Sequence, residues 1–104
     1  MFDQELENRV TLAGVLDGAP QIEENERGEL RAAFWVRHGT NEIGAVAYGP
    51  VAKSLRLFGR DEAEVLCTGQ LRWRDDDPDV CFVQVDSLAF CNPMELRELL
   101  GVTV

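Results

Sequence analysis

The sequence has few of the residues on which extracellular, metal-binding and membrane proteins rely. It contains three cysteines and one histidine, His38, in 104 residues, and no Cys-x-x-Cys pair. Zinc sites and disulfide frameworks need such clusters, so a reducing, cytoplasmic setting fits best. No stretch approaches the roughly 20 consecutive apolar residues of a membrane helix, and the acidic start MFDQELENRV lacks the apolar core of a secretory signal. We therefore expect a cytoplasmic protein with no membrane contact, metal or other cofactor.

Catalytic motifs are also lacking. The sequence has no Gly-rich phosphate loop, no Gly-x-Ser-x-Gly and no His-Glu-x-x-His. The segment Asp75–Asp79 holds four carboxylates in five residues but lacks the glycine and distal glutamate of an EF-hand loop, so we interpret it as a solvated loop. The sequence predicts a binding protein and not an enzyme.

Positive charge is scarce, which matters for any nucleic-acid hypothesis. Ten Lys and Arg face 19 Asp and Glu, giving a formal net charge of −9. Such a charge repels phosphate at long range. The acidic residues, however, cluster in segments that resemble loops, whereas the arginines lie in strand-like segments. Local placement therefore offsets part of the unfavourable net charge.

Apolar alternation predicts five strands in one domain that covers residues 1–104. The predicted strands are Asn8–Leu16, Leu30–His38, Glu42–Tyr48, Glu64–Arg74 and Val80–Phe90. Gly14, inside the first strand, indicates a bulge or sharp bend.

Two helices complete the prediction. One lies between the third and fourth strands, with Pro50 in its first turn, Gly59 at its end, and Val51, Leu55 and Phe58 along one apolar stripe. A second, C-terminal helix begins at Asn92-Pro93 and runs to about residue 101. This order is that of an all-β, five-stranded Greek-key barrel of the OB-fold type, spanning about residues 8–91. A five-strand α+β sheet would leave a similar pattern.

Three short blocks resemble bacterial single-stranded-DNA-binding proteins and follow that family's order. They are NRVTLAGVLDGAP at the first strand, VAYGPVAKSL at the end of the third strand, and TGQLRWR on the fourth. The resemblance covers roughly residues 8–90 and implies an OB-fold that binds single-stranded nucleic acid by aromatic stacking and arginine–phosphate contacts.

Seven positions are predicted to contact nucleic acid. The resemblance implies four of them: basic sites at Arg9, Arg72 and Arg74, and a stacking ring at Tyr48. Strand alternation supplies the others, because Arg31, Trp35 and Arg37 share one face of the second predicted strand.

Structural alternatives stand beside several of these roles. Trp35 would serve equally well in a dimer interface, Tyr48 could close the barrel, and the arginines could simply pair with the abundant carboxylates. Trp73 lies on the apolar parity of its strand, which favours a core or barrel-end plug. Cys67 and Cys81 are interpreted as small core residues for the same reason.

The chain also departs from the family pattern. Glu42 stands where the family usually carries a Trp, and the long loop between the second and third strands is reduced to a short connection around Gly39-Thr40-Asn41. These losses imply a reduced or specialised relative, comparable to primosomal replication proteins.

The resulting hypothesis is a sequence-tolerant module that binds single-stranded nucleic acid, with single-stranded DNA as its expected partner. The alternative is a protein-interaction OB module of a replication, repair, plasmid or phage system, with weak or no DNA binding. In either case we expect a homodimer or homotetramer, because relatives assemble through their barrel edges.

Overall fold

The computed structural model describes residues 8–91, which fold into six strands and one helix. The predicted C-terminal helix at 92–101 lies outside the described residues. The elements are β1 (Val10–Leu16), β2 (Gln21–Glu24), β3 (Leu30–His38), β4 (Asn41–Tyr48), α1 (Gly49–Phe58), β5 (Glu64–Trp73) and β6 (Cys81–Phe90).

Five of the strands close into a barrel. The sheet runs in the order β1-β5-β6-β4-β3, and an additional β1–β3 pairing joins its two ends. β4 and β6 pair in parallel, whereas the other neighbours are antiparallel. This closed, mixed barrel, with a helix between its third and fourth strands, is the OB-fold arrangement. The fold prediction is confirmed.

Strand β2 was not predicted from the sequence. It lies in the acidic segment between β1 and β3 and pairs only with β3, at the outer end of the sheet order. Of its four residues only Ile22 is apolar, so alternation gave no signal for a strand.

Glycines permit two sharp features of the barrel wall. At Gly14, β1 begins to change partner from β5 to β3, and a Cβ there would collide with the carbonyl oxygen of Arg37. The change of partner and the close approach are the features expected where a strand turns the corner of a small barrel. A register shift in the β5–β6 pair places Thr68 opposite Ser87 but Gly69 opposite Val85, so β6 carries one extra residue there.

The core fills the barrel and reaches the inner face of α1. Ala52 and Leu55 of the helix are buried against it, whereas Phe58, the third residue of the predicted stripe, is mostly exposed and meets Phe90 edge-on. No polar or charged residue of the described chain is buried. The buried core cluster consists of Leu16, Ala32, Phe34, Val36, Ala45, Ala47, Ala52, Leu55, Val65, Cys67, Val83 and Val85.

Two predicted core residues lie outside this core. Trp73 and Cys81 face each other in the last pair of β5 and β6, and both are exposed. The prediction of a plug and a core cysteine is wrong because the preceding inward pair, Leu71 and Val83, is where the interior ends. Cys67 is buried as predicted, and this burial raises the pKa of its thiol to about 12.

Within residues 8–91, no helix is long and apolar enough to cross a membrane.

Candidate nucleic-acid interface

Strand β3 presents the predicted basic and aromatic residues on the outside of the barrel. Its alternate residues Ala32, Phe34 and Val36 are buried, so Trp35 and its neighbours on the same parity point outward. Trp35 is 53% exposed. The predicted shared face is therefore present, and its two arginines lie near opposite ends of the strand.

A groove of about 730 Å³ crosses this outer face between the β1–β2 connection and the loop that joins β5 to β6. Its floor includes Trp35 and the residues around it on β3 and β4. Arg31 and Arg74 line it, as does the carboxylate-bearing Asp17. The groove therefore brings together three of the seven predicted residues.

Trp35 rests over a position that has no side chain. Gly44 lies directly across from it on β4, and a Cβ at Gly44 would come 3.5 Å from the indole atoms Cζ3 and Cη2. The indole is thus supported by backbone below and exposed above. A supported, half-exposed ring is a suitable stacking surface for a planar ligand.

The groove floor belongs to a wider strip of the barrel wall that carries no carboxylate. Cross-strand partners extend it from β2 through β3, β4 and β6 to β5. We call this strip the central band. One row of it consists of Gln21, Ala33, Val46, Gln84 and Gln70. The adjacent row consists of Trp35, Gly44, Phe82 and Arg72, with Phe82 placed beside Gly44 by continuing the β4–β6 register.

The cross-strand rows that border the central band on either side do contain carboxylates. On one side Glu23 lies opposite Arg31, and on the other Glu42 lies opposite Arg37. A hydrogen bond with Asp17 is the main cause that raises the pKa of Glu42, with desolvation and the Asp17 charge adding to it.

Four of the five predicted arginines form ion pairs. The N–O distances are 3.3 Å for Arg9–Asp86, 3.7 Å for Arg31–Glu23, 2.7 Å for Arg37–Glu62 and 2.6 Å for Arg74–Asp76. All are at the surface, where such pairs contribute little to stability. The alternative considered from the sequence, that the arginines pair with nearby carboxylates, is therefore observed for these four. Each ion pair still leaves its arginine side chain accessible to solvent.

Arg72 is the exception. Its Nε donates a hydrogen bond of 3.2 Å to Gln84 Oε1, and an Nη2 hydrogen bond of 2.9 Å reaches Gln70 Oε1. Among residues 8–91, no carboxylate oxygen pairs with it.

Tyr48 and Arg9 stand apart from the groove. Tyr48, exposed at the end of β4, lies opposite Arg31 but borders a separate depression of about 390 Å³ that is lined by Glu23, Glu24 and Glu29. Arg9 precedes β1 and is held by Asp86 of β6. Neither residue lines the groove.

Several groove and band residues were missed from sequence. Phe82 was overlooked although its parity is opposite to that of the buried Val83 and Val85. The sequence alone could not identify Gly44 as the position beneath Trp35, because that requires the register between β3 and β4. Gln70 and Gln84 carry no sequence signal, because glutamine is an ordinary surface residue.

No cluster of three or more His, Cys, Asp or Glu that could hold a metal ion is present within residues 8–91.

Comparison with known proteins finds similarity in structure and not in sequence. No family model matches the chain, and no curated protein matches it. Among solved structures, the SSB domain of a protein from Synechococcus sp. superposes with a TM-score of 0.69 at 21% sequence identity. The match covers 83% of this chain and 98% of that domain. This likeness establishes the fold: the chain is an OB-fold barrel of the same shape as an SSB domain.

Proposed function

We propose that the chain binds single-stranded nucleic acid, with single-stranded DNA as the principal ligand, across the groove and the central band. The observation that carries this proposal is the half-exposed Trp35, seated over Gly44 on a wall strip without carboxylates. OB-fold barrels bind oligonucleotides on the corresponding strands and between the corresponding loops. The structural neighbour from Synechococcus is an SSB domain, which points in the same direction.

The physical terms favour sequence-tolerant binding of modest strength. Stacking on an aromatic side chain contributes about 1–3 kcal/mol per base and accepts every base. Arg31 and Arg74 line the groove, and their exposed ion pairs are weak enough for a phosphate to compete with the carboxylate. Because each arginine–phosphate contact releases bound counterions, we expect this binding to weaken as salt is added.

The second candidate is a protein-interaction module that meets a basic partner. The ion pairs at four of the five predicted arginines favour it, because carboxylates already occupy those cations. This candidate predicts weak or no oligonucleotide binding, even at low salt, and a stable hetero-complex. The expected homodimer or homotetramer stays a prediction under both candidates.

Titration with a homothymidine oligonucleotide at low and moderate salt tests the proposal. The chain has two tryptophans, both exposed, so the reporter protein carries Trp73→Phe and retains only Trp35. We expect saturable quenching of Trp35 fluorescence that diminishes with salt. In a separate anisotropy assay with labelled oligonucleotide, Trp35→Ala should weaken binding about tenfold or more.

A matched pair of arginine variants locates the site. Arg31→Ala and Arg56→Ala each remove one ion-paired arginine beside β2, but only Arg31 lines the groove. Arg31→Ala should weaken binding more than Arg56→Ala does. Equal effects would place the ligand elsewhere. No saturable binding by either method at low salt would overturn the proposal in favour of the interaction module.

A further inference from the structure

Arg72 differs from the other predicted arginines in the chemistry of its partners. Arg9, Arg31, Arg37 and Arg74 each face a carboxylate, whereas Arg72 is held by the amide oxygens of Gln70 and Gln84. An amide oxygen fixes a guanidinium without cancelling its charge. Arg72 is therefore an oriented cation in a protein surface where the comparable cations are compensated.

The two glutamines are well placed to hold this orientation. Gln70 and Gln84 lie directly opposite each other on β5 and β6, and both side chains are half-buried on the outer wall. They engage two of the five N–H donors of the guanidinium. The remaining donors are available to a ligand, and Arg72 itself is exposed.

The position of Arg72 relates it to the groove. It lies opposite Phe82, and Phe82 lines the groove beside Trp35 and Gly44. A single-stranded nucleic acid with one base stacked on Trp35 could continue its backbone across the central band. It would reach Arg72 without passing a carboxylate, because the band carries none. Phosphate oxygens are good acceptors for a guanidinium that is already oriented.

We propose that Gln70 and Gln84 are positioning residues that orient Arg72, without neutralising its charge, as the phosphodiester contact of the site. This inference rests on the proposed function and adds one ligand group to it. A carboxylate at either position would convert Arg72 into another compensated cation, whereas a glutamine amide orients the guanidinium and leaves its charge uncompensated.

The test replaces each glutamine by its isosteric acid. Gln70→Glu, Gln84→Glu and Arg72→Ala should each weaken homothymidine binding about tenfold. The slope of log affinity against log salt should become shallower by about 0.7, the value for one phosphate contact on a single strand. Gln21→Glu is the matched control, since it adds the same charge to the central band without contacting Arg72.

Two further variants separate positioning from simple charge repulsion. In a protein that already carries Arg72→Ala, adding Gln70→Glu should leave the salt slope unchanged. The double variant Gln70→Ala/Gln84→Ala should keep the slope, because the charge remains, but lower the affinity, because its orientation is lost.

The outcomes distinguish this inference from the proposed function. If Gln70→Glu weakens binding no more than Gln21→Glu, or leaves the slope at its wild-type value, the positioning role is wrong while quenching of Trp35 still supports the site. If no protein in the series binds oligonucleotide, both proposals fall. Circular dichroism of each variant checks the fold, and the alanine pair decides the question if an acidic variant is misfolded.

Discussion

The inner and outer surfaces of the barrel wall are built from alternate residues of the same strands, yet they follow different rules. The inner surface of β3 carries Ala32, Phe34 and Val36, which all belong to one apolar core. On the outer surface the exposure and contacts of a residue depend on its neighbour on the next strand. Trp35, for example, packs over Gly44, which has no side chain. Alternation along one strand therefore defines the interior, whereas the exterior depends on pairs that are distant in sequence.

The largest expected effect lies on the inner side. Leu55 and Leu57 belong to the same helix, but Leu55 is 1% exposed and Leu57 is 60% exposed. Leu55→Ala should lower the free energy of unfolding by about 2–5 kcal/mol, because it leaves a cavity under the barrel. Leu57→Ala should change it by less than about 0.5 kcal/mol. Urea unfolding of both variants measures the contrast, and equal losses would contradict the burial assigned to α1.

Two glycines give a smaller and more local contrast. A Cβ at Gly69 would collide with the carbonyl oxygen of Gln84 and lie 2.9 Å from Val85 Cα, whereas the nearest neighbour of a Cβ at Gly44 would be the Trp35 ring at 3.5 Å, an ordinary contact. Gly69→Ala should therefore destabilise the protein by about 1–3 kcal/mol through a forced backbone shift. Gly44→Ala should be tolerated. Thermal unfolding compares the two, and a Gly69→Ala protein as stable as the wild type would argue against the β5–β6 register.

The inner surface could be predicted well from sequence. The bounds of β3, Leu30–His38, match the predicted strand because alternation is unbroken there and glycines stand at Gly28 and Gly39. Alternation could not show where the interior ends, so Trp73 and Cys81 were placed inside although they lie past the last inward-facing pair, Leu71 and Val83.

The outer surface could be predicted only in part. The residues on the face of Trp35 were found by alternation, but the partners of the outer arginines depend on how the chain folds. Arg37 pairs with Glu62 and Arg72 with Gln84 across the sheet, both remote in sequence, whereas only Arg74 has a carboxylate partner two residues away, Asp76. Short-range patterns contain no information on a register between strands that are far apart in the chain. The distinction between compensated and uncompensated arginines therefore required the structure.

The smallest expected effect tests that distinction at Arg74, two residues from Arg72. Two hydrogen bonds from Arg74, of 2.9 and 2.6 Å, hold the pKa of Asp76 below its usual range. Because the pKa is lowered by folding, this pair favours the folded state above about pH 4 and the contribution is lost as the pH falls through the lowered value.

Carboxyl-carbon NMR titration of the wild type and of Arg74→Gln measures this shift. We expect the pKa of Asp76 to rise toward its ordinary value in the variant, with little change in unfolding free energy at neutral pH because both groups are exposed. The pKa of Glu42, raised by its hydrogen bond with Asp17, should stay where it is and serves as the internal control. An Asp76 that already titrates normally in the wild type would mean that the pair does not persist in solution. Arg74 would then be as available to a phosphate as Arg72, and the contrast between the two arginines would disappear.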